Sequence, residues 1–109
     1  MTAAVDATLA ALADPQRRRV VELLRVKARP AGELAREVGV SPPTMSRHLR
    51  ALRESGIVEE SHPAFDARVR IYALRAEPMV ELIGWLEETE RLWSEQLSAF
   101  KRHVEGGEA

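Results

Sequence analysis

The chain has 109 residues and no cysteine, and its 16 Lys and Arg against 17 Asp and Glu give a formal net charge of −1. That length fits one domain, 1–109, with a modest core, at a size where a second subunit often completes it. The lack of cysteine excludes disulfides, thiolate metal sites and cysteine nucleophiles. No basic leader followed by an apolar run opens the chain, and no apolar stretch reaches about 18 residues, so a cytoplasmic protein without membrane contact is expected. Charge is unevenly spread: residues 15–75 hold 13 Lys and Arg against 7 Asp and Glu, whereas residues 77–109 hold 3 against 8. A positive middle and an acidic tail are expected if only the middle faces a polyanion, although chance segregation gives the same pattern.

Residues 1–13 carry Val5, Leu9 and Leu12 at i, i+4, i+7 and read as a short helix. Asp14 as N-cap followed by Pro15 restarts the chain, and Val20, Val21, Leu23 and Leu24 supply a second apolar face. Arg17, Arg18 and Arg19 fall in that helix's first turn, where the dipole disfavours cations. A nearby phosphate or a salt bridge would account for them.

Residues 31–58, AGELAREVGVSPPTMSRHLRALRESGIV, organise the chain. Leu34, Ala35 and Val38 form one helical stripe behind Pro30, a weak cap, and Gly39 closes the helix in the left-handed conformation. Ser41 then caps a second helix whose first turn tolerates Pro42 and Pro43, because N–H groups there have no intrahelical acceptor. Met45, Leu49 and Leu52 repeat at i, i+4, i+7 as its buried stripe. The opposite face carries Pro43, Arg47, Arg50 and Glu54, flanked by Thr44 and Ser46. Such a short, polar, basic face suits the major groove, where its side chains can donate to base edges and phosphates. A helical hairpin with solvated Arg and Ser is the plainer alternative.

Ser55 and Gly56 end that helix. An extended run through His62, the turn-forming PAFDA, and RVRIYAL over 68–74 then read as a β-hairpin with arginines near its tip. In the second strand Val69, Ile71 and Ala73 alternate with Arg68, Arg70 and Tyr72. Pro78 lies near the start of a last helix, 77–104. Met79, Leu82, Leu86, Trp93, Leu97, Phe100 and Val104 follow three-four spacing along it, widened by Trp85 and Leu92. This stripe exceeds what a domain of about 100 residues covers by itself, so a second copy is the simplest partner. The tail EGGEA is expected to fray.

The segments LADPQRRRVVELL and GELAREVGVSPPTMSRHLRALRESGIV, with Asp66, Arg68 and Tyr72 in the hairpin, resemble the ArsR-type bacterial transcriptional repressors, from about residue 9 to 103. The resemblance implies a mainly α fold with a small β-hairpin (α+β), a winged helix-turn-helix of order α-α-α-α-β-β-α. In that arrangement 31–55 is the helix-turn-helix, 57–74 the wing, and 1–13 with 77–104 the homodimer contact. Val5, Leu9, Leu12, Leu82, Trp85, Leu86, Trp93, Leu97 and Phe100 are the dimerisation candidates. Double-stranded operator DNA is the implied partner, and sequence-specific repression the implied function. By position Ser41, Thr44, Ser46 and Arg47 match the family's base and phosphate readers, with Pro43 and Arg50 on the same face, and Arg68 and Arg70 match its wing arginines. His48 also matches a family position. It borders the buried stripe, so packing or a phosphate contact suits it better than metal binding.

Metal-sensing members place cysteine pairs in the helix equivalent to 33–38 or Asp and His ligands along the last helix. Here the first site cannot exist, and the last helix offers only His103 with Glu87, Glu88, Glu90, Glu95 and Glu105, which reads as a solvated acidic face. No metal or cofactor is therefore expected. The Trp85 to Trp93 pattern looks like the family's metal-independent branch, whose small-molecule effectors are often unknown. A winged-helix protein-interaction module would want an apolar recognition face instead. No enzyme is indicated, since Ser41, Ser46 and the three histidines form no nucleophile and base arrangement, and no Gly-rich phosphate loop is present.

Overall fold

A computed structural model describes residues 3–106, which form five helices and one three-stranded sheet. Met1, Thr2 and residues 107–109 of the EGGEA tail lie outside the described residues. Helix α1 (Ala3–Ala11) ends two residues earlier than expected. Asp14 then caps α2 (Pro15–Val26), its Oδ1 accepting the N–H of Gln16 at 2.8 Å and of Arg17 at 3.2 Å. These bonds, Arg17 N–H foremost, favour the charged carboxylate and hold Asp14 below its ordinary pKa.

Within the arginine run, Arg17 and Arg18 are held by backbone carbonyls. Arg17 Nε donates to Ala11 O at 2.7 Å and Nη2 to Ala10 O at 3.3 Å, while Arg18 Nη1 donates to Leu12 O at 2.7 Å and Ala13 O at 3.2 Å. Arg17 thus binds carbonyls of the last turn of α1 and Arg18 those of the two residues that follow it, which offsets their poor position in α2. Arg19 makes a salt bridge within its own helix, to Glu22 at 3.4 Å.

Helix α3 (Ala31–Val38) starts at Pro30 without a side-chain cap and ends at Gly39, whose φ of 80° lets the N–H groups of Gly39 and Val40 bond back to Ala35 O. After Ser41, α4 (Pro42–Glu54) ends in the same way at Gly56, φ 84°, with Ile57 N–H on Leu52 O. Strand β2 (Val58–Ser61) pairs antiparallel with β3 (Ile71–Leu74), Val58 opposite Leu74 and Ser61 opposite Ile71. Each strand is shorter than expected. Turn chemistry takes the missing residues: Asp66 N–H bonds Pro63 O, Val69 N–H bonds Asp66 O, and Arg68 N–H bonds Asp66 Oδ1.

A third strand, β1 (Arg29–Pro30), pairs antiparallel on the other side of β3, so the sheet order is β1-β3-β2. It was not foreseen, because two residues carry no period and Pro is tolerated only at such an edge. Its presence makes β3 central, and the expected alternation inverts there: Tyr72 is buried, while Ile71 and Ala73 are half-buried.

The core unites Val20, Leu23 and Leu24 of α2, Leu34 and Ala35 of α3, Met45, Leu49 and Leu52 of α4, and Ile57, Val58 and Tyr72 of the wing region. Helix α5 (Ala76–Gly106) packs on α1 and then projects beyond it. The shape records this: the radius of gyration is 19.4 Å, against about 13 Å for a compact chain of this length, and the extents are 73 × 25 × 22 Å. Two dimerisation candidates need correction. Val5 and Leu82 are buried within the protomer, because α1 and α5 cover each other there, and Thr8 and Ala11 rather than Leu9 continue the inward face of α1. Leu12 packs on the protomer core, and Trp85 is half-buried. Leu9, Leu86, Trp93, Leu97 and Phe100 remain exposed.

Candidate nucleic-acid interface

The outward face of α4 is assembled by its own cap. Ser41 Oγ accepts the Thr44 N–H at 3.3 Å and its hydroxyl donates to Thr44 Oγ1 at 3.0 Å, and Arg47 Nη2 donates to the same Thr44 oxygen at 3.2 Å. Ser41, Thr44 and Arg47 thus form one ridge along the first two turns. With both lone pairs of Thr44 Oγ1 engaged, its hydroxyl proton is left to donate outward. Pro43 and Ser46 are exposed beside the ridge. Among the described residues no carboxylate pairs with Arg47, so its charge is not answered from within the protomer. Arg50, one turn on, reaches Glu54 at 3.4 Å, an exposed pair of little energetic weight.

His48 does not share this face. It is 9% exposed, and its Nε2 lies 2.7 Å from Gln16 Oε1, so it ties α4 to the first turn of α2. The packing role is the one that the structure shows; the ring is turned away from the ridge. Gln16 carried no signal in the sequence, since its partner lies 32 residues away.

The wing places Arg68 at its outer end, with a side chain 93% exposed and Nε 3.3 Å from Asp66 Oδ1. Phe65 is exposed at the same end. Arg70 sits nearer α4, its Nε 3.6 Å from Glu60 Oε1. Between α4 and the wing is a depression of about 200 Å³ lined by Ser46, Arg50, Arg53, Glu60, Arg70 and Tyr72. Arg53 and Glu60 escaped the sequence reading. The usable signal was strand parity: Glu60 shares a face with buried Val58, and a carboxylate at an inward position needs a partner. Burial first, and then the Glu60 carboxylate, push the Tyr72 phenol above its ordinary pKa, so it stays a donor to Glu60 Oε2 at 3.2 Å.

Arg47, Arg50, Arg53, Arg68 and Arg70 belong to α4 and the wing, where Glu54, Glu59, Glu60 and Asp66 accompany them, whereas α5 carries seven glutamates against Arg91, Lys101 and Arg102. Among the described residues no group of three or more His, Asp or Glu is arranged to hold a metal ion, and no helix is long and apolar enough to cross a membrane.

A family model described as a helix-turn-helix domain matches residues 12–61. The HTH-type transcriptional regulator Rv2034 of Mycobacterium tuberculosis is 34% identical over 100 residues, covering 92% of this chain and 88% of that protein. The transcriptional repressor SdpR of Bacillus subtilis is 26% identical over 76 residues, 70% of this chain and 81% of its own. The crystal structure of the ArsR family transcriptional regulator RHA00566 superposes with a TM-score of 0.74 at 31% identity, covering 84% of this chain and 97% of that one. With five helices, a three-stranded wing sheet and a basic ridge on α4, the chain belongs to the ArsR family of winged helix-turn-helix proteins and is a DNA-binding transcriptional regulator.

Proposed function

We propose that this regulator is a homodimeric repressor that occupies an inverted-repeat operator, with α4 of each protomer in a major groove and each wing on the adjoining backbone or minor groove. The observation that carries the reading is the Ser41–Thr44–Arg47 ridge, hydrogen-bonded into one shape with the Arg47 charge unanswered. Ser41, Pro43, Thr44, Ser46 and Arg47 line the reading face, Arg50 and Arg70 flank it, and Arg68 reaches furthest along the wing. His48 supports α4 from behind.

Two-fold pairing of α5, with Leu9 of α1 at its side, covers Leu86, Trp93, Leu97 and Phe100, which the protomer leaves open. A shallow apolar hollow of about 210 Å³ between Trp93, Leu97 and Phe100 lies on that surface and gives a second copy something to fill. Any signal that releases DNA acts without thiolate chemistry, since the chain has no cysteine, and the donor set along α5 is oxygen-rich with one imidazole, His103.

Titration of Arg47→Ala against a selected genomic fragment and a scrambled duplex tests the reading. Discrimination between the two falls by about 1–3 kcal/mol if Arg47 contacts a base edge. Arg68→Ala serves as the contrast: it weakens both duplexes alike and lowers the salt slope by about one. Unchanged affinities for Arg47→Ala would take Arg47, and with it the ridge, out of the interface.

A further inference from the structure

One carboxylate holds the junction between α4 and the wing together. Glu60 lies on β2 opposite Tyr72, with a side chain 13% exposed. Its Oε2 is bound by Arg53 Nη1 from α4 and by the Tyr72 hydroxyl from β3. Its Oε1 faces Arg70 Nε at 3.6 Å and His62 Nε2 at 3.7 Å. His62 in turn spans the hairpin, Nδ1 donating to Val69 O at 3.0 Å. Four groups from three pieces of backbone therefore converge on a single side chain.

A negative charge at this place is unexpected on electrostatic grounds. In the reading above, the surface that carries Glu60 approaches a polyanion, where a carboxylate opposes binding through its charge. Neither acceptor demand nor packing explains it, because Tyr72 and Arg53 could bond a neutral amide. What the carboxylate adds is a charge-assisted hold on two long cations of different elements. Arginine loses much rotamer freedom on immobilisation, so an arginine already held in place binds a phosphate at lower entropic cost than a free one.

We propose that Glu60 is a positioning residue for DNA binding: it fixes Arg53 of α4 and Arg70 of the wing in one orientation, so that helix and wing meet the DNA backbone as a single rigid surface. The proposal rests on the assignment of α4 and the wing to the DNA interface, and it concerns phosphate contacts rather than base reading.

The test is a double-variant cycle with Glu60→Gln, Arg70→Ala and the combination, titrated on a selected genomic duplex over a salt series. Arg70→Ala weakens binding about tenfold in the wild-type background and less than about threefold in the Glu60→Gln background. Glu60→Gln by itself weakens binding even though it removes a negative charge. A Glu60 that acted through charge alone gives the opposite sign, tighter binding on neutralisation with an equal Arg70 effect in both backgrounds, and that result overturns the proposal. So does an Arg70→Ala that costs nothing in the wild type.

Glu60→Asp covers the case in which the amide variant melts early. It keeps the charge and withdraws the carboxylate by one methylene, so positioning predicts weakened binding and charge alone predicts wild-type affinity. Retained operator discrimination that is sensitive to Arg47→Ala, together with additive Glu60 and Arg70 effects, would remove this proposal and leave the DNA-reading one standing.

Discussion

Leu97→Glu combined with Phe100→Glu produces a monomer and weakens operator binding by about 100-fold or more. Both side chains are open in the protomer, 53% and 66% exposed, so the substitutions remove nothing from its core and leave its helices intact. In a two-fold pair they would bring carboxylates into an apolar contact, where each uncompensated charge is expensive to bury. Loss of the pair separates the two reading helices. Each half-site must then be bound independently, and the avidity of the linked pair disappears. Light scattering at micromolar concentration gives the mass, circular dichroism the helix content, and titration the affinity. A variant that remains a dimer with unaltered binding would move the interface off the outer half of α5.

Leu52→Ala has the largest expected effect on folding. Leu52 is 0% exposed, meets the α2 and α3 core residues, and offers the carbonyl that turns the chain at Gly56 toward the wing. Truncation removes buried methyl groups and leaves a cavity between close-packed helices, at a cost of about 2–5 kcal/mol. Against a total stability on the order of 5–15 kcal/mol this is a substantial part. Urea unfolding should show a lower midpoint with an unchanged slope, whereas exposed Val26→Ala moves the midpoint by no more than about 0.5 kcal/mol. A loss below about 1 kcal/mol for Leu52→Ala would mean that the site is not close-packed.

The elements most legible in the sequence were those with local punctuation. Asp14-Pro15, Gly39, Ser41-Pro42-Pro43 and Gly56 mark helix ends by the chemistry of orphan N–H and C=O groups, which acts within a few residues, and all four act at the expected places. What depends on distant neighbours was less legible. Periodicity showed apolar stripes on α1 and α5 but could not show whether this protomer or another copy covers a given residue. Val5 and Leu82 fell on the inner side and Leu97 and Phe100 on the outer.

The arginines illustrate the same limit. Arg17 and Arg18 answer carbonyls five to seven residues back, at the end of a helix whose angle to α2 no local signal specifies. In the candidate interface the ridge of α4 was legible because Ser41, Thr44 and Arg47 are i, i+3, i+6 neighbours of one helix. Glu60 was harder to find, because its parity with Val58 becomes a signal only once β2 is known to bury that face.

The central claim, that paired α4 helices read an operator through the major groove, is tested most directly by selecting bound fragments from genomic DNA and mapping them by guanine N7 methylation protection. The expected result is an inverted repeat whose protected guanines cluster in two half-sites about one helical turn, roughly 10 base pairs, or a multiple apart. Fragments no more enriched than random duplex, or binding with guanine N7 unprotected, would contradict it.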